Sequence, residues 1–196
     1  MAKYDSEMTL GDARSLYFDL FGFKNGGYDD AWVVVKVWRF PIVFPNTKGR
    51  LRAVKLHDLH HVLTEYDANW MGETEIGAWE VATGLRKHYQ GWLLDLLAFA
   101  IGLVINPRGV YRAFMRGRQS SNLYDMEFTE EFLSNRVGEI RRQLRLDREP
   151  APASRADKLS FALWATLSVG VYAATAALCL APLVAFVGLV VWWMKG

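Results

Sequence analysis

Cysteine is almost absent from this 196-residue chain, which has one, Cys179. A lone thiol excludes a disulfide framework and a cysteine-based zinc site. Excess charge of one sign is missing too: 23 basic and 21 acidic side chains leave a formal net charge of +2, with the signs interspersed. That balance excludes nucleic-acid binding driven by overall charge. The N-terminal stretch MAKYDSEMTLGDARS has no apolar core and carries Asp5, Glu7 and Asp12. It therefore reads neither as a secretory signal nor as an acid-poor transit peptide. There is no Gly-x-Ser-x-Gly elbow to present a nucleophile, and no internal repeat.

The C-terminal part lacks charge altogether. No Asp, Glu, Lys or Arg occurs between Lys158 and Lys195, which predicts a membrane segment over 159–194. As one helix the uncharged tail would run roughly 54 Å at about 1.5 Å per residue, against a hydrocarbon core of about 30 Å. Folding back at Pro182 gives two short arms and brings Lys158, Trp164, Trp192, Trp193 and Lys195 to one interface. A single tilted or overhanging helix is the alternative. The basic flank of Arg141, Arg142, Arg145, Arg148, Arg155 and Lys158 places the globular part on the cytoplasmic side, with a bacterial cytoplasmic membrane as the expected location.

What is present before the tail is mainly α. A first helix is expected from the cap candidate Thr9 through LGDARSLYFDLFGF, ended by the paired glycines of KNGGYDD. The β-branched and aromatic run AWVVVKVWRFPIVFPNTKGRLRAVK suggests a strand pair. Pro41 and Pro45 argue against a central strand, leaving an edge hairpin or an extended arm. From Leu56 to about Leu146 the reading is four or five helices, the last being a strongly periodic EFTEEFLSNRVGEIRRQLR. Residues 147–158, rich in Pro, Ala and Ser, mark a linker between a helical domain over 1–146 and the tail.

Three of the four histidines fall in HDLHHVLTEYDANWMGE, residues 57–73. On a helix turning about 100° per residue, His61 lies about 40° and Asp58 about 100° from His57, while His60 falls near ~300°. His57, His61 and Asp58 thus share one arc and His60 is set aside. The turn formers Asp67, Asn69 and Gly72 let Glu73 open a second helix that returns against the first. Imidazole and carboxylate ligands suit zinc, and also ferrous iron or manganese. Spacing alone leaves two readings open, a metal site and the polar face of an ordinary helix. Glu80, about two turns beyond Glu73, could orient a ligand or relay a proton, though a surface carboxylate is the commoner role for such a residue. His88 reads as an ordinary surface or interfacial histidine.

The pattern His-Asp-x-x-His, eleven residues, then Glu resembles the signature of the Coq-four family of coenzyme Q (ubiquinone) biosynthesis proteins, matched by His57, Asp58, His61 and Glu73. GETEIGAWEVATGL and NLYDMEFTEEFLSNRVGEIRRQL resemble two further blocks of that family in order, so the resemblance covers roughly residues 52–146. It implies a mostly helical, membrane-associated protein with a divalent metal at those four positions, zinc first and iron or manganese as alternatives. It also implies a polyprenylated aromatic ring or other isoprenoid lipid as ligand. The expected activity is oxidative decarboxylation of that ring, which replaces a carboxyl group by hydroxyl. The alternative is a non-catalytic scaffold or prenyl-lipid carrier that organises other ubiquinone-biosynthesis enzymes at the membrane. The aromatic arm at 28–50, the membrane tail, and Asp125 and Met126 in place of Tyr and Glu depart from the family pattern.

Two further stretches bear on such a ligand. GWLLDLLAFAIGLVINP is apolar all round except Asp95, so it is buried core or the wall of a lipid groove, in which Ala98, Ala100 and Gly102 would leave room for an isoprenoid chain. Arg108, Arg112 and Arg116 recur every four residues as one basic stripe, either a solvated face or a contact with anionic headgroups. No aromatic-basic interleaving suggests nucleic acid.

Overall fold

The computed structural model describes residues 3–37, 40–149 and 151–195. Trp38 and Arg39 of the expected arm, Pro150 of the expected linker and the side chain of Lys195 lie outside the described residues.

The chain is mainly helical with one short hairpin, as its composition suggested. Helix α1 spans Leu10–Phe21; Thr9 caps it by accepting from the Asp12 N–H, and Gly22 ends it in the left-handed region at φ 70. Strands β1 (Trp32–Val37) and β2 (Phe40–Pro45) pair antiparallel from Trp32↔Pro45 to Val37↔Phe40. With two strands only, both are edges, which is where a proline costs least. Helix α2, Lys48–Thr64, starts well before Leu56, because Thr47 accepts from the Arg50 N–H and so caps a turn that the β-branched run before it obscures.

Helix α3, Trp70–Thr83, is capped by Asn69, whose Oδ1 accepts from the N–H groups of Met71 and Gly72. The connection from α2 passes so close that a Cβ on Gly72 would lie 1.9 Å from the Asp67 carbonyl oxygen. Gly72→Ala is therefore expected to cost about 2–3 kcal/mol of overpacking and to shift Glu73. Denaturant unfolding would reveal it, and an unchanged midpoint would contradict the close approach.

Helices α4 (Tyr89–Ile105) and α5 (Pro107–Arg118) complete the core around Trp79, Phe99 and Phe114, all fully buried. Gly77 lets α3 approach the backbone of Asp95, and Gly102 faces Thr74 and Val110. Gly102 and the buried Ala100 thus serve helix packing, and of the three small residues expected to make room for a ligand chain Ala98 is the one that lines the large cavity beside the histidines. The periodic closing segment is broken into α6 (Glu130–Leu133) and α7 (Val137–Gln143), because Asn135 and Val137 bond back to the N-terminal segment at Leu10 and Met8. The expected arginine stripe is also split. Arg116 turns inward to donate to the carbonyls of Thr64 and Leu146, leaving Arg108 and Arg112 exposed.

Helix α8, Arg155–Lys195, passes through Pro182 without folding back. Its first turns are stitched to the domain. Arg118 pairs with Asp157, Phe161 packs on Phe99 and Phe114, and Trp164 stacks on Trp92 at 5.2 Å. Trp164 thus packs against the domain. The expected linker is likewise tied down, with the Ala151 N–H donating to Gln119 at 2.7 Å and Ser154 capping α8 through Asp157 N–H. Beyond Val171 the helix leaves the domain and exposes Leu178, Phe186, Leu189, Trp192 and Trp193. It is one helix long and apolar enough to cross a membrane. The stretch from Tyr172 to Met194 is roughly 34 Å long at about 1.5 Å per residue, close to the ~30 Å of a hydrocarbon core. The stretch that meets the length and apolarity of a span, Arg155–Pro182, also includes the turns docked on α4.

Candidate metal centre

Helix α2 supplies His57, Asp58, His60 and His61, and α3 returns to bring Glu73 and Glu80 against them. The alternation of contacts round α2 sorts the histidines. His57 and His61, one turn apart, direct their Nε2 atoms at each other across 3.1 Å. Glu73 lies over the pair, with Oε1 3.4 Å from His61 Nε2 and Oε2 3.6 Å from His57 Nε2.

The partners of the opposite ring nitrogens decide what these atoms can do. His61 Nδ1 faces the Tyr66 carbonyl oxygen at 3.0 Å, which can only accept, so Nδ1 carries the proton. His57 Nδ1 faces Glu80 Oε1 at 3.1 Å, a carboxylate oxygen that likewise accepts. In the neutral rings both Nε2 atoms then present lone pairs, aimed at each other and at two carboxylate oxygens. Four acceptors in one place repel unless a cation or a shared proton sits among them. Ligands held ~2.1 Å from a tetrahedral ion lie ~3.4 Å apart, close to these separations. A histidine whose second nitrogen donates to a carboxylate or backbone carbonyl is the usual arrangement behind a metal-bound imidazole. The residues present therefore fit a divalent ion. The donor set does not select its identity.

Electrostatics agree with the geometry. Burial alone would depress His57, but Glu80 and Glu73 outweigh it and hold the ion-free imidazole well above its ordinary value. Glu73 is opposed by its own burial, yet His57 and His61 hold its carboxyl well below the usual range. The ring of Tyr17 stacks on His61 at 5.3 Å and fixes its plane.

Asp58, expected among the ligands, is buried in the same cavity wall. Its Oδ2 accepts from the Tyr28 hydroxyl at 2.6 Å. Burial pushes its carboxyl up, against the pull of His57 and Tyr28. One gathering of possible ligand atoms among the described residues joins His57, His61 and Glu73, without Asp58. A second gathering joins His57 to Glu80 and Asp95.

Glu80 is fully buried, which corrects the expectation of a surface carboxylate. It is a hub: Oε1 accepts from His57 Nδ1 and, at 2.5 Å, from His60 Nδ1, and Oε2 accepts from the Tyr124 hydroxyl at 2.8 Å. Burial would raise it, but His57 and His60 hold it well below the usual carboxylate range. His60 stays out of the ligand cluster, as its angle predicted, but it is not idle. Its Nε2 accepts from the Leu123 N–H at 2.9 Å, so Nδ1 must donate to Glu80, and burial keeps the ring neutral. Tyr28, Tyr124 and the Leu123 amide carried no signal in the sequence. Asp95 did, as the one acid in WLLDLLAF. Its Oδ2 is buried with no hydrogen-bond partner among the described residues, and burial together with Glu80 pushes its carboxyl well up. His88, facing the Tyr124 carbonyl at 3.3 Å, is interfacial as expected.

His57, Asp58, Glu73 and Asp95 open on one cavity of about 770 Å³. Its other walls are apolar: Trp32, Val33 and Val34 from β1, Trp70 from α3, and Leu94, Leu97, Ala98 and Ile101 from α4. α4 is therefore core on one side and cavity wall on the other. No protein-family model, curated protein or solved structure matches the chain, so the family resemblance rests on the residues themselves.

Proposed function

We propose that this chain is a membrane-anchored metal protein of Coq-four type that binds a polyprenylated aromatic acid and removes the ring carboxyl group, leaving a hydroxyl in its place. The observation that carries the reading is a cluster of His57, His61 and Glu73 whose members His57 and Glu73 open on a large, mainly apolar cavity, in a chain with one helix fit to span a bilayer. Zinc is the first expectation for the ion, with iron or manganese next. A bound ion would supply a Lewis acid and, if iron or manganese, a means of using dioxygen; the carboxyl carbon would leave as carbon dioxide, and dioxygen with an external two-electron donor would provide the hydroxyl oxygen and water. His57, His61 and Glu73 hold it, and Glu80 and the Tyr66 carbonyl fix the tautomers of the two imidazoles. Asp95, whose carboxyl burial and Glu80 push well up, faces the ligand from α4. The apolar walls exclude water and accept the prenyl chain. The basic flank, now partly within α8, supports the reading of a domain on the cytoplasmic face of a bacterial membrane.

A second reading is a non-catalytic scaffold or prenyl-lipid carrier with a structural ion, serving other ubiquinone-biosynthesis enzymes. The Glu80 hub favours it, because the hub ties α2 to α3 and to Tyr124 whether or not chemistry occurs. The test is metal analysis and lipid mass spectrometry of the purified full chain, followed by incubation with a prenylated hydroxybenzoate, dioxygen and a two-electron donor. Turnover that disappears in His61→Ala while lipid binding and folding persist supports the enzyme. Lipid binding without turnover in the metal-loaded protein supports the carrier, and finding neither metal nor isoprenoid removes both.

A further inference from the structure

Among the described residues, Arg50 is the one Lys or Arg in the wall of the cavity. Its guanidinium is engaged on one side only. Nη1 donates to Asn46 Oδ1 at 2.8 Å, and the group lies over the Phe44 ring, 5.7 Å from the centroid. Nε is buried and has no hydrogen-bond partner among the described residues. Four acids share the wall, Asp30, Asp58, Glu73 and Asp95, but among the described residues none lies within ion-pair distance of Arg50, and Asp58, the one whose charge acts on it, already accepts from Tyr28. A buried donor without an acceptor is unfavourable, all the more on a charged group. The edge formed by Nε and Nη2 is the one that takes a carboxylate or phosphate through two parallel hydrogen bonds. Asn46 and Phe44 fix the plane, and no acceptor among the described residues takes up that edge.

Position supports the same assignment. Arg50 precedes His57 by seven residues on one face of α2, about 10 Å along the axis. The first turns of α2 and α4 are joined, with Gln90 Nε2 donating to Thr47 Oγ1 at 2.9 Å. α8 runs antiparallel to α4, from Phe161 on Phe99 to Trp164 on Trp92, and leaves beside that joint. Arg50 therefore stands at the end of the cavity from which the apolar helix departs.

We propose that the cavity takes an amphiphile with an acid group, carboxylate or phosphate monoester, and that Arg50 is the residue that recognises the acid while the apolar body lies along Leu94, Leu97 and Ile101. This rests on the amphiphile reading above and specifies it.

The test uses the full, metal-loaded chain in neutral detergent. Hexadecanoate, hexadecyl phosphate and hexadecanol compete against a fluorescent fatty alcohol. The wild type is expected to bind at least one of the two anions about tenfold more tightly than the alcohol, and the preferred anion identifies the acid. Arg50→Met is expected to bring both anions to parity with hexadecanol, leaving alcohol affinity and bound metal unchanged. Arg50→Lys, which keeps the charge but loses the fork, retains only part of the preference and serves if the methionine variant does not fold. Equal affinity for all three in the wild type, or a full preference surviving both substitutions, would overturn the assignment. Failure to bind any of the three would overturn the amphiphile reading with it. His61→Ala separates the two: an acid preference that persists after the metal is lost supports Arg50 independently of the metal site.

Discussion

Replacing Glu80 with alanine is expected to lower the unfolding free energy by about 3–5 kcal/mol, one of the two largest effects in the domain. The carboxylate is completely enclosed and accepts from three side chains, His57, His60 and Tyr124. Removing it strands their protons in a space that water does not reach, and each buried donor left without an acceptor costs about 1–3 kcal/mol. For a domain of this size the melting midpoint should fall by about 10 °C. Glu80→Gln keeps the volume and is expected to be milder in stability but informative in affinity. An amide nitrogen facing either His60 Nδ1 or the Tyr124 hydroxyl meets a donor, and the charge that holds His57 with its proton on Nδ1 is gone. Metal affinity, read by chelator competition, is expected to drop by about 10- to 100-fold. Thermal stability and affinity both at wild-type level in Glu80→Gln would mean that the hub carries neither burden.

Stripping the ion is expected to lower the melting midpoint by an amount that grows with pH. In the ion-free protein Glu80 and Glu73, outweighing burial, raise His57 well above its ordinary 6.5. A raised folded-state pKa contributes stability that is fully present below about pH 6.5 and is lost as pH rises through the folded value. The ion-free form is thus steadied at low pH by a proton held where the cation would sit. The loaded form is the reverse, because the ion binds only after that proton leaves, and its apparent affinity rises about tenfold per pH unit for each proton displaced. The two melting curves should lie close together at pH 6 and separate as pH rises above about 6.5, in scans of matched samples with and without chelator. A separation independent of pH would show that His57 exchanges no proton for the ion.

Much of the site was legible because helix geometry is strict. The spacing of His57 and His61 put them on one arc, and the turn formers before Glu73 announced a reversal. The hairpin and the helical body followed from side-chain type in the same way. Legibility stopped where contacts come from distant parts of the chain. Nothing near Glu80 reveals that Tyr124, 44 residues away, closes over it, or that Leu123 fixes the tautomer of His60. Tyr28 belongs to a loop and reaches Asp58 only once the fold has formed. The break between α6 and α7 was hidden for a related reason. Periodicity favours one helix there, and backbone bonds to the N-terminal segment override it. For the tail, length left a hairpin and a single helix both open; the single helix is the one observed, with its first turns lying on α4.

That docking has a mechanical meaning on the single-span reading. A domain joined to its anchor by a loose linker can tumble and sample many heights above a bilayer. Here aromatic stacking on Trp92 and Phe99 makes the anchor a rigid extension of the α4 wall. The cavity would then hold one standing height and one bearing over the lipid surface. A ligand would reach it by drifting sideways in the plane of the bilayer, and the protein would meet its cargo as a fixed crane meets what passes beneath it.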